Sequence, residues 1–113
     1  MLARAGHDVT VYEAVPNPGP VGAGITLQPS GMAVLHTLGL LDAVVARGSM
    51  LSGLDATTRG GRVVVSLNYA DLSPAAFGLG VHRGLLFQTL FDALAPAGVT
   101  VRLGVRITDV GGA

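Results

Sequence analysis

The chain has 113 residues, which is room for one small domain, and half of them are hydrophobic. Seven arginines balance seven acidic residues, so the formal net charge is zero and no strong field is present to attract nucleic acid or an anionic membrane. The absence of cysteine excludes disulfides, thiolate nucleophiles and cysteine-bound zinc. No apolar run approaches the ~20 residues that cross a bilayer and no secretory signal is evident, so we expect a cytoplasmic protein without a membrane partner.

The N-terminal segment has the pattern of a helix end followed by a strand. Residues 1–6 resemble the last turn of a helix that Gly6 closes in a left-handed conformation. The run 8–13 is rich in β-branched residues and predicts a buried strand that ends at Glu13. This order is that of the second half of a βαβ unit.

The remaining pattern is mixed α/β, after a Pro- and Gly-rich loop at 16–24. It predicts, in chain order, an extended stretch at 25–27, a helix capped by Ser30 and broken at Gly39, a second short helix at 40–47, strand-like runs at 50–58 and 62–69, a loop at 71–80, an amphipathic helix at 85–94, and short strands at 99–103 and 105–110.

The two strand-like runs at 50–58 and 62–69 are separated by Arg59-Gly60-Gly61, a plausible hairpin loop. We therefore predict a β-hairpin at 50–70 that lies outside the nucleotide-binding core.

Glu13 is the sharpest single candidate for a binding residue. In a dinucleotide-binding fold, an acid at the end of this strand accepts hydrogen bonds from the ribose hydroxyls of the adenosine half. The alternative is an ordinary solvated glutamate at a strand end. The glycine-rich phosphate loop that precedes such a strand is absent from this sequence.

Two further segments could approach a cofactor. Glycines at Gly22 and Gly24, just before an extended stretch, let bare backbone come close to a bound molecule, although a flexible turn would look the same. Arg83 precedes the amphipathic helix, where its fork of donors could reach a phosphate or a ribityl chain. The alternative is a surface arginine, which is how we interpret the other six arginines.

Other chemistries are not supported. His7, His36 and His82 show no metal-ligand spacing, no Ser–His–Asp arrangement is recognisable, and the aspartates are spread singly. We therefore assign no catalytic residue and no metal ligand.

Three segments, taken in order, resemble the flavin-dependent aromatic hydroxylases, the family of para-hydroxybenzoate hydroxylase-like flavoproteins. Residues 2–13 are similar to the helix end, second strand and ribose-binding acid of that family. Residues 22–31, with the Leu38-Gly-Leu-Leu-Asp42 run that follows, are similar to its flavin-proximal segment. His82 and Arg83, ahead of Leu86 and Leu90, are similar to its flavin-contacting arginine and the helix after it.

The resemblance implies FAD as cofactor, NAD(P)H as co-substrate of the parent enzyme and oxygen-dependent hydroxylation of a small aromatic or related molecule. Glu13 would bind the adenosine ribose. Ala23, Gly24 and Ile25 would line the isoalloxazine region through backbone, and Arg83 would hold the ribityl-pyrophosphate portion. The implied fold is a partial Rossmann-like FAD-binding domain, a βαβ remnant over 1–113, with an added β-hairpin from the start of the substrate domain.

The sequence also departs from the family pattern. Ala14 stands where many members have an arginine, and Leu85 stands where many have an acid. The G-x-G-x-x-G loop and the later Asp-Gly and Gly-Asp motifs are missing, so we expect a fragment of the monooxygenase that is inactive alone. A non-catalytic α/β module and a remnant of another FAD-dependent oxidoreductase, a reductase or an epoxidase, stay open, and the sequence does not fix the oligomeric state.

Overall fold

The structure, a computed structural model, describes residues 1–111 and is mixed α/β, as predicted. Short 3-10 turns lie at Ala3–Ala5 and Tyr69–Asp71, and within that range no helix is both long and apolar enough to cross a membrane. The strands are β1 (Thr10–Glu13), β2 (Gly24–Leu27), β3 (Ser49–Leu51), β4 (Gly53–Thr57), β5 (Val63–Asn68), β6 (Gly78–His82) and β7 (Thr100–Leu103), and the helices are α1 (Pro29–Leu38), α2 (Leu41–Val45) and α3 (Arg83–Asp92).

The chain divides into two compact units. The first consists of Met1–Val21 together with the chain from Gly84 onward, and the second is Gly22–Arg83. Each unit is described by itself below.

The first unit is built on a parallel pair of strands, β1 and β7, in which Thr10 lies opposite Thr100 and Glu13 opposite Leu103. The prediction that this strand is buried was wrong, because Val11 and Tyr12 are 36% and 49% exposed. The physical reason is that β7 is the only strand that pairs with β1 among the described residues.

The turn before β1 ends in a left-handed glycine, as predicted, but it is a 3-10 turn and not the end of an α-helix. Ala3–Ala5 form a 3-10 turn rather than an α-helical one, and Gly6 closes it with φ +90° while its N–H donates to the carbonyl of Ala3. A side chain at that φ would be strained, which is why glycine suits the position.

At the other end of the same unit, the helix predicted at 85–94 is present as α3, where the rings of Phe87 and Phe91 stack with centroids 5.4 Å apart. The strand predicted at 105–110 was wrong. The N–H of Val105 donates to the carbonyl of Glu13 at 2.9 Å, but no ladder continues beyond it.

The second unit contains an antiparallel sheet in the order β2-β6-β3. One face of β6 is buried, with Leu79 and Val81 inside and Gly48 close against both side chains. The helices α1 and α2 contribute further buried residues to this unit, namely Met32, Leu35 and Val44.

The first three residues of β6, the central strand of that sheet, were wrongly predicted as part of a loop at 71–80. The glycines of β6 weaken a sequence-based strand prediction, but the structure requires one of them. A Cβ on Gly78 would lie 2.5 Å from the phenol oxygen of Tyr69 and 2.6 Å from two of its ring carbons, and Tyr69 is buried. The Tyr69 ring needs glycine at position 78, and this is why β6 lacks the alternating side-chain pattern that predicts a strand.

The helix boundaries in this unit also needed correction. Ser30 was predicted to cap α1, but the cap lies two residues earlier, at Gln28, and the helix begins at Pro29. Proline is favoured there because its missing N–H would have no helical partner. The predicted break at Gly39 is confirmed by its φ of +73°, and α2 is shorter than the predicted 40–47.

The predicted strand run at 50–58 divides between two sheets. Met50 and Leu51 belong to β3 and pair with β6, whereas Gly53–Thr57 pairs antiparallel with β5 across the Arg59-Gly60-Gly61 turn. The hairpin therefore begins at Gly53 rather than at 50. Every residue of β5 is exposed, on both faces of the strand.

Candidate functional site

In the second unit, Arg83 is held against the glycine segment that precedes β2. The backbone N–H of Arg83 donates to the carbonyl of Ala23 at 3.0 Å. Gly22 has φ +115°, and a Cβ there would overlap Nε, Nη2 and Cζ of the Arg83 side chain. The guanidinium thus lies directly over the bare Cα of Gly22, so two segments 60 residues apart in sequence form one cationic, glycine-lined corner.

The register of β2 and β6 fixes which backbone groups of this corner face outward. Because Ala23 and Arg83 share a ladder hydrogen bond, the next pair, Gly24 with His82, is of the non-hydrogen-bonded type, and Ile25 with Val81 is hydrogen-bonded again. The N–H and C=O of Gly24 therefore point away from β6. Among the described strands β2 pairs with β6 alone, so this edge of Gly24 is open to a ligand.

Ile25 is placed differently from Gly24. Its backbone is turned toward β6 in the ladder, and its side chain is half-buried. Of the three residues proposed from sequence to line a flavin through backbone, Gly24 thus has the geometry best suited to that contact.

In the first unit, Glu13 ends β1 with a half-buried side chain. Its Oε1 accepts a hydrogen bond from the N–H of Val15 at 2.7 Å, which fixes the carboxylate at the turn after the strand. Beside it lies an apolar cleft of about 200 Å³, lined by Val11, Pro18, Phe87, Leu90, Phe91, Leu94 and Val101 together with Glu13. A carboxylate at the rim of an apolar cleft can accept hydrogen bonds from hydroxyl groups of a ligand whose ring enters the cleft.

A second open feature of the second unit was missed by the sequence reasoning. A broad groove of about 580 Å³ lies on the three-stranded sheet, lined by Gly24, Ile25, Thr26, Arg47, Ser49, Gly80, Val81 and His82. Arg47 had been assigned to solvent and Gly80 to a loop. Only the strand register brings them together, and no local pattern in the sequence indicates it.

Metal chemistry finds no support in the part of the chain that the structure describes. No three His, Asp or Glu side chains there come together in a group that could hold a metal ion.

Comparison with known proteins gives a consistent set of relatives, although no family model matches the chain. The chain is 32% identical to a 6-hydroxynicotinate 3-monooxygenase of Bordetella bronchiseptica over 97% of its length, and 37% identical to a 3-amino-4-hydroxybenzoate 2-monooxygenase of Streptomyces cremeus over 88%. It spans 29% and 26% of these two proteins respectively.

Solved structures of FAD-dependent monooxygenases are also similar to this chain. The chain superimposes on a probable FAD-dependent monooxygenase from Pseudomonas aeruginosa with a TM-score of 0.76 and 26% identity, across 97% of this chain and 30% of that one. A 2-methyl-3-hydroxypyridine-5-carboxylic acid oxygenase gives a TM-score of 0.73 at 23% identity, which shows a shared fold alone.

Proposed function

Because the chain is related to one segment of the FAD-dependent aromatic monooxygenases, we propose that it forms part of the FAD-binding region of such an enzyme. The observation that carries this proposal is the corner made by Gly22, Gly24 and Arg83. The guanidinium of Arg83 is held in place over Gly22, a position where any side chain would collide with it. The N–H and C=O of Gly24 face outward from the sheet.

This corner fits the chemistry of a flavin nucleotide. A guanidinium offers several donors in a planar fork that matches phosphate and hydroxyl oxygens, and Arg83 would hold the ribityl-pyrophosphate portion in this way. The outward N–H and C=O of Gly24, with Ala23 and Ile25 on either side, would line the isoalloxazine edge. A side chain at Gly24 would stand in the way of that approach.

Glu13 would bind the adenosine ribose from the first unit. Its Oε1 is already oriented by the N–H of Val15, so the carboxylate would be pre-organised for ribose hydroxyls. The carboxylate would hold the ribose as a hydrogen-bond acceptor, since an ionised carboxylate has no hydrogen to donate.

FAD, when bound, supplies the redox chemistry of hydroxylation, with NAD(P)H as the source of electrons. The residues of this chain would bind and orient the cofactor, and we assign none of them a catalytic role. The substrate we propose is a small aromatic or related molecule. Two relatives, a 6-hydroxynicotinate and a 3-amino-4-hydroxybenzoate monooxygenase, support that class.

At the level of architecture, we propose that residues 1–113 form a partial Rossmann-like domain, with β1 and β7 as neighbouring parallel strands of its sheet. The parallel pairing supports this, since parallel strands need a crossover connection. We further propose that the hairpin β4–β5 reaches toward the substrate domain. Its support is that both faces of β5 are exposed while four of its six residues are valine or leucine.

Flavin fluorescence quenching would test the proposal. FAD would be titrated into the purified chain and into a fusion that adds, before Met1, the first strand, the glycine-rich loop and the helix after it from a relative. We expect tighter binding by the fusion, because a helix N-terminus with its loop supplies the pyrophosphate contacts. Arg83→Gln should weaken that binding about tenfold, whereas Arg62→Gln, in the hairpin turn, should leave it unchanged.

The competing interpretation is a non-catalytic α/β module. It would be favoured if neither the chain nor the fusion bound FAD while both were folded by circular dichroism. Equal weakening by Arg83→Gln and Arg62→Gln would indicate a non-specific charge effect and would count against the proposed site.

A further inference from the structure

The outer edge of strand β5 carries backbone hydrogen-bonding groups that its pairing with β4 does not use. The N–H of Tyr69 donates to the carbonyl of Ser52 at 2.9 Å, which makes that pair of the hydrogen-bonded type, and the two types of pair alternate along the ladder from there. The backbone of Leu67 is therefore turned toward β4, whereas the N–H and C=O of Ser66 and Asn68 point away from it. Among the described strands β5 pairs with β4 alone, so this edge can accept another strand.

Strand β5 lacks the charged and proline residues that commonly protect a sheet edge from further pairing. The run Val63–Asn68 contains neither, and all six residues are exposed. On one face of the hairpin, the side chains of Leu54, Val65 and Leu67 are 39–41% exposed. The register shift of the hairpin lies toward its turn and leaves 65–68 regular. A strand that pairs along this edge would therefore meet a regular ladder beside an apolar row of side chains.

The charges at the two ends of β5 have opposite signs. Arg62 stands directly before the strand and Asp71 lies in the short 3-10 turn that follows it, and both side chains are exposed. Two such strands placed antiparallel bring the arginine end of each beside the aspartate end of the other, whereas parallel strands would place like charges together. The charge pattern thus favours an antiparallel partner with the same sequence, which a second copy of this chain supplies through a two-fold axis.

We propose that the chain forms a symmetric dimer in which β5 pairs antiparallel with β5 of a second copy. With Ser66 on the two-fold axis, its outward N–H and C=O bond to the same groups of the other Ser66. Val65 then lies opposite Leu67 of the second copy on the apolar face, and Arg62 lies at the end of the ladder near Asp71 of the second copy. The two hairpins become one sheet in the order β4-β5-β5-β4, and both exposed β5 edges are removed.

The interface is small, because only the six residues of each β5 take part in the ladder. Interfaces of this size belong to weak complexes, and we expect a dissociation constant on the order of 100 μM. The pairing uses the edge of β5 and leaves both faces of the hairpin uncovered. It therefore does not depend on the proposed flavin site, and it leaves the hairpin free to contact a substrate domain.

Sedimentation-velocity ultracentrifugation of the purified chain, over concentrations from well below to well above that constant, tests the proposal. We expect a monomer that converts to a dimer without larger species, because a two-fold axis closes the assembly. Ser66→Pro removes the outward N–H and no hydrogen bond of the β4–β5 ladder, so it should abolish the dimer. Ser66→Ala is the matched control, since it also loses the hydroxyl bond to Asp55 but keeps the N–H, and it should dimerise like the wild type.

A charge exchange tests the antiparallel arrangement without changing the strand. Arg62→Glu and Asp71→Arg each place like charges together at both ends of the ladder, and each should weaken the dimer roughly fivefold. The double variant restores opposite charges and should dimerise as strongly as the wild type. All variants should keep the wild-type circular dichroism spectrum.

The proposal is overturned if the folded chain stays monomeric at every concentration, or if larger species form in place of a dimer. It is also overturned if Ser66→Pro and Ser66→Ala dimerise equally well. A double charge variant that dimerises no better than the two single variants would exclude the antiparallel pairing and would overturn it as well.

Discussion

The side chain of Arg83 lies over the bare Cα of Gly22, and its backbone N–H is bonded to the carbonyl of Ala23, the residue after Gly22. The guanidinium therefore rests on the glycine segment, and its position depends on the absence of a side chain there.

Gly22→Ala should displace this guanidinium. The new Cβ would overlap Nε and Nη2 of Arg83, and φ +115° is a conformation that alanine rarely adopts. We expect a loss of about 1–2 kcal/mol in the free energy of unfolding, measured with urea, and at least tenfold weaker FAD binding by the fusion protein. Gly60→Ala is the control, because its φ is ordinary and only Thr58 Oγ1 lies near, at 3.9 Å. Equal effects of the two substitutions would contradict this account of Gly22.

Gly78→Ala should destabilise the second unit more than Gly80→Ala. At Gly78 the added methyl would collide with the buried Tyr69 ring, and overpacking of this kind costs about 1–3 kcal/mol. At Gly80 the nearest atoms are at ordinary contact distance, so the change should be under about 0.5 kcal/mol. Urea denaturation of both variants measures the difference, and a larger loss at Gly80 would contradict the different surroundings that the structure gives these two glycines.

Tyr69→Phe tests the hydrogen bond that the buried phenol makes to Gln28. The phenol hydroxyl donates to Oε1 of Gln28 at 2.9 Å, and its removal should cost about 0.5–1.5 kcal/mol. A double-mutant cycle with Gln28→Ala isolates this term. If the two single losses add without coupling, the hydrogen bond contributes nothing to stability and the prediction fails.

The sequence predicted local features well and tertiary ones poorly. Gly6 and Gly39 were identified as helix ends because a left-handed residue there is a local requirement. The strand β6 was missed because Gly78 is needed by Tyr69, and a contact between distant residues leaves no mark in local periodicity. The strand at 105–110 was predicted from its β-branched residues, but propensity alone does not supply a neighbouring strand to pair with.

In the candidate site, too, the residues set by local pattern were predicted and those set by strand pairing were not. Glu13 stands at the end of β1 and Arg83 at the start of α3, where pattern and resemblance had put them. Their ligand roles stay predictions. The groove residues Arg47 and Gly80 could not be found from sequence, because only the pairing of β3 with β6 makes them neighbours.

The exposed hairpin predicts how the isolated chain behaves in solution. Val63 and Val64 are 62% and 60% exposed on β5, and an exposed apolar strand favours association between copies. Val64→Lys should lower concentration-dependent aggregation, measured by light scattering, with a change in unfolding free energy under about 0.5 kcal/mol. Ala75→Lys adds the same charge at an exposed position outside the hairpin and should help much less. Similar gains from both would show that net charge, and not the hairpin, controls solubility.

The measurement that most directly tests the central claim is FAD binding by the fusion protein, compared with its Glu13→Ala and Glu13→Gln variants. The account predicts binding that Glu13→Ala weakens about tenfold and Glu13→Gln weakens less, since the amide retains an acceptor oxygen for the ribose. FAD binding that is unchanged by Glu13→Ala, Arg83→Gln and Gly22→Ala, or no binding by a folded fusion, would contradict it.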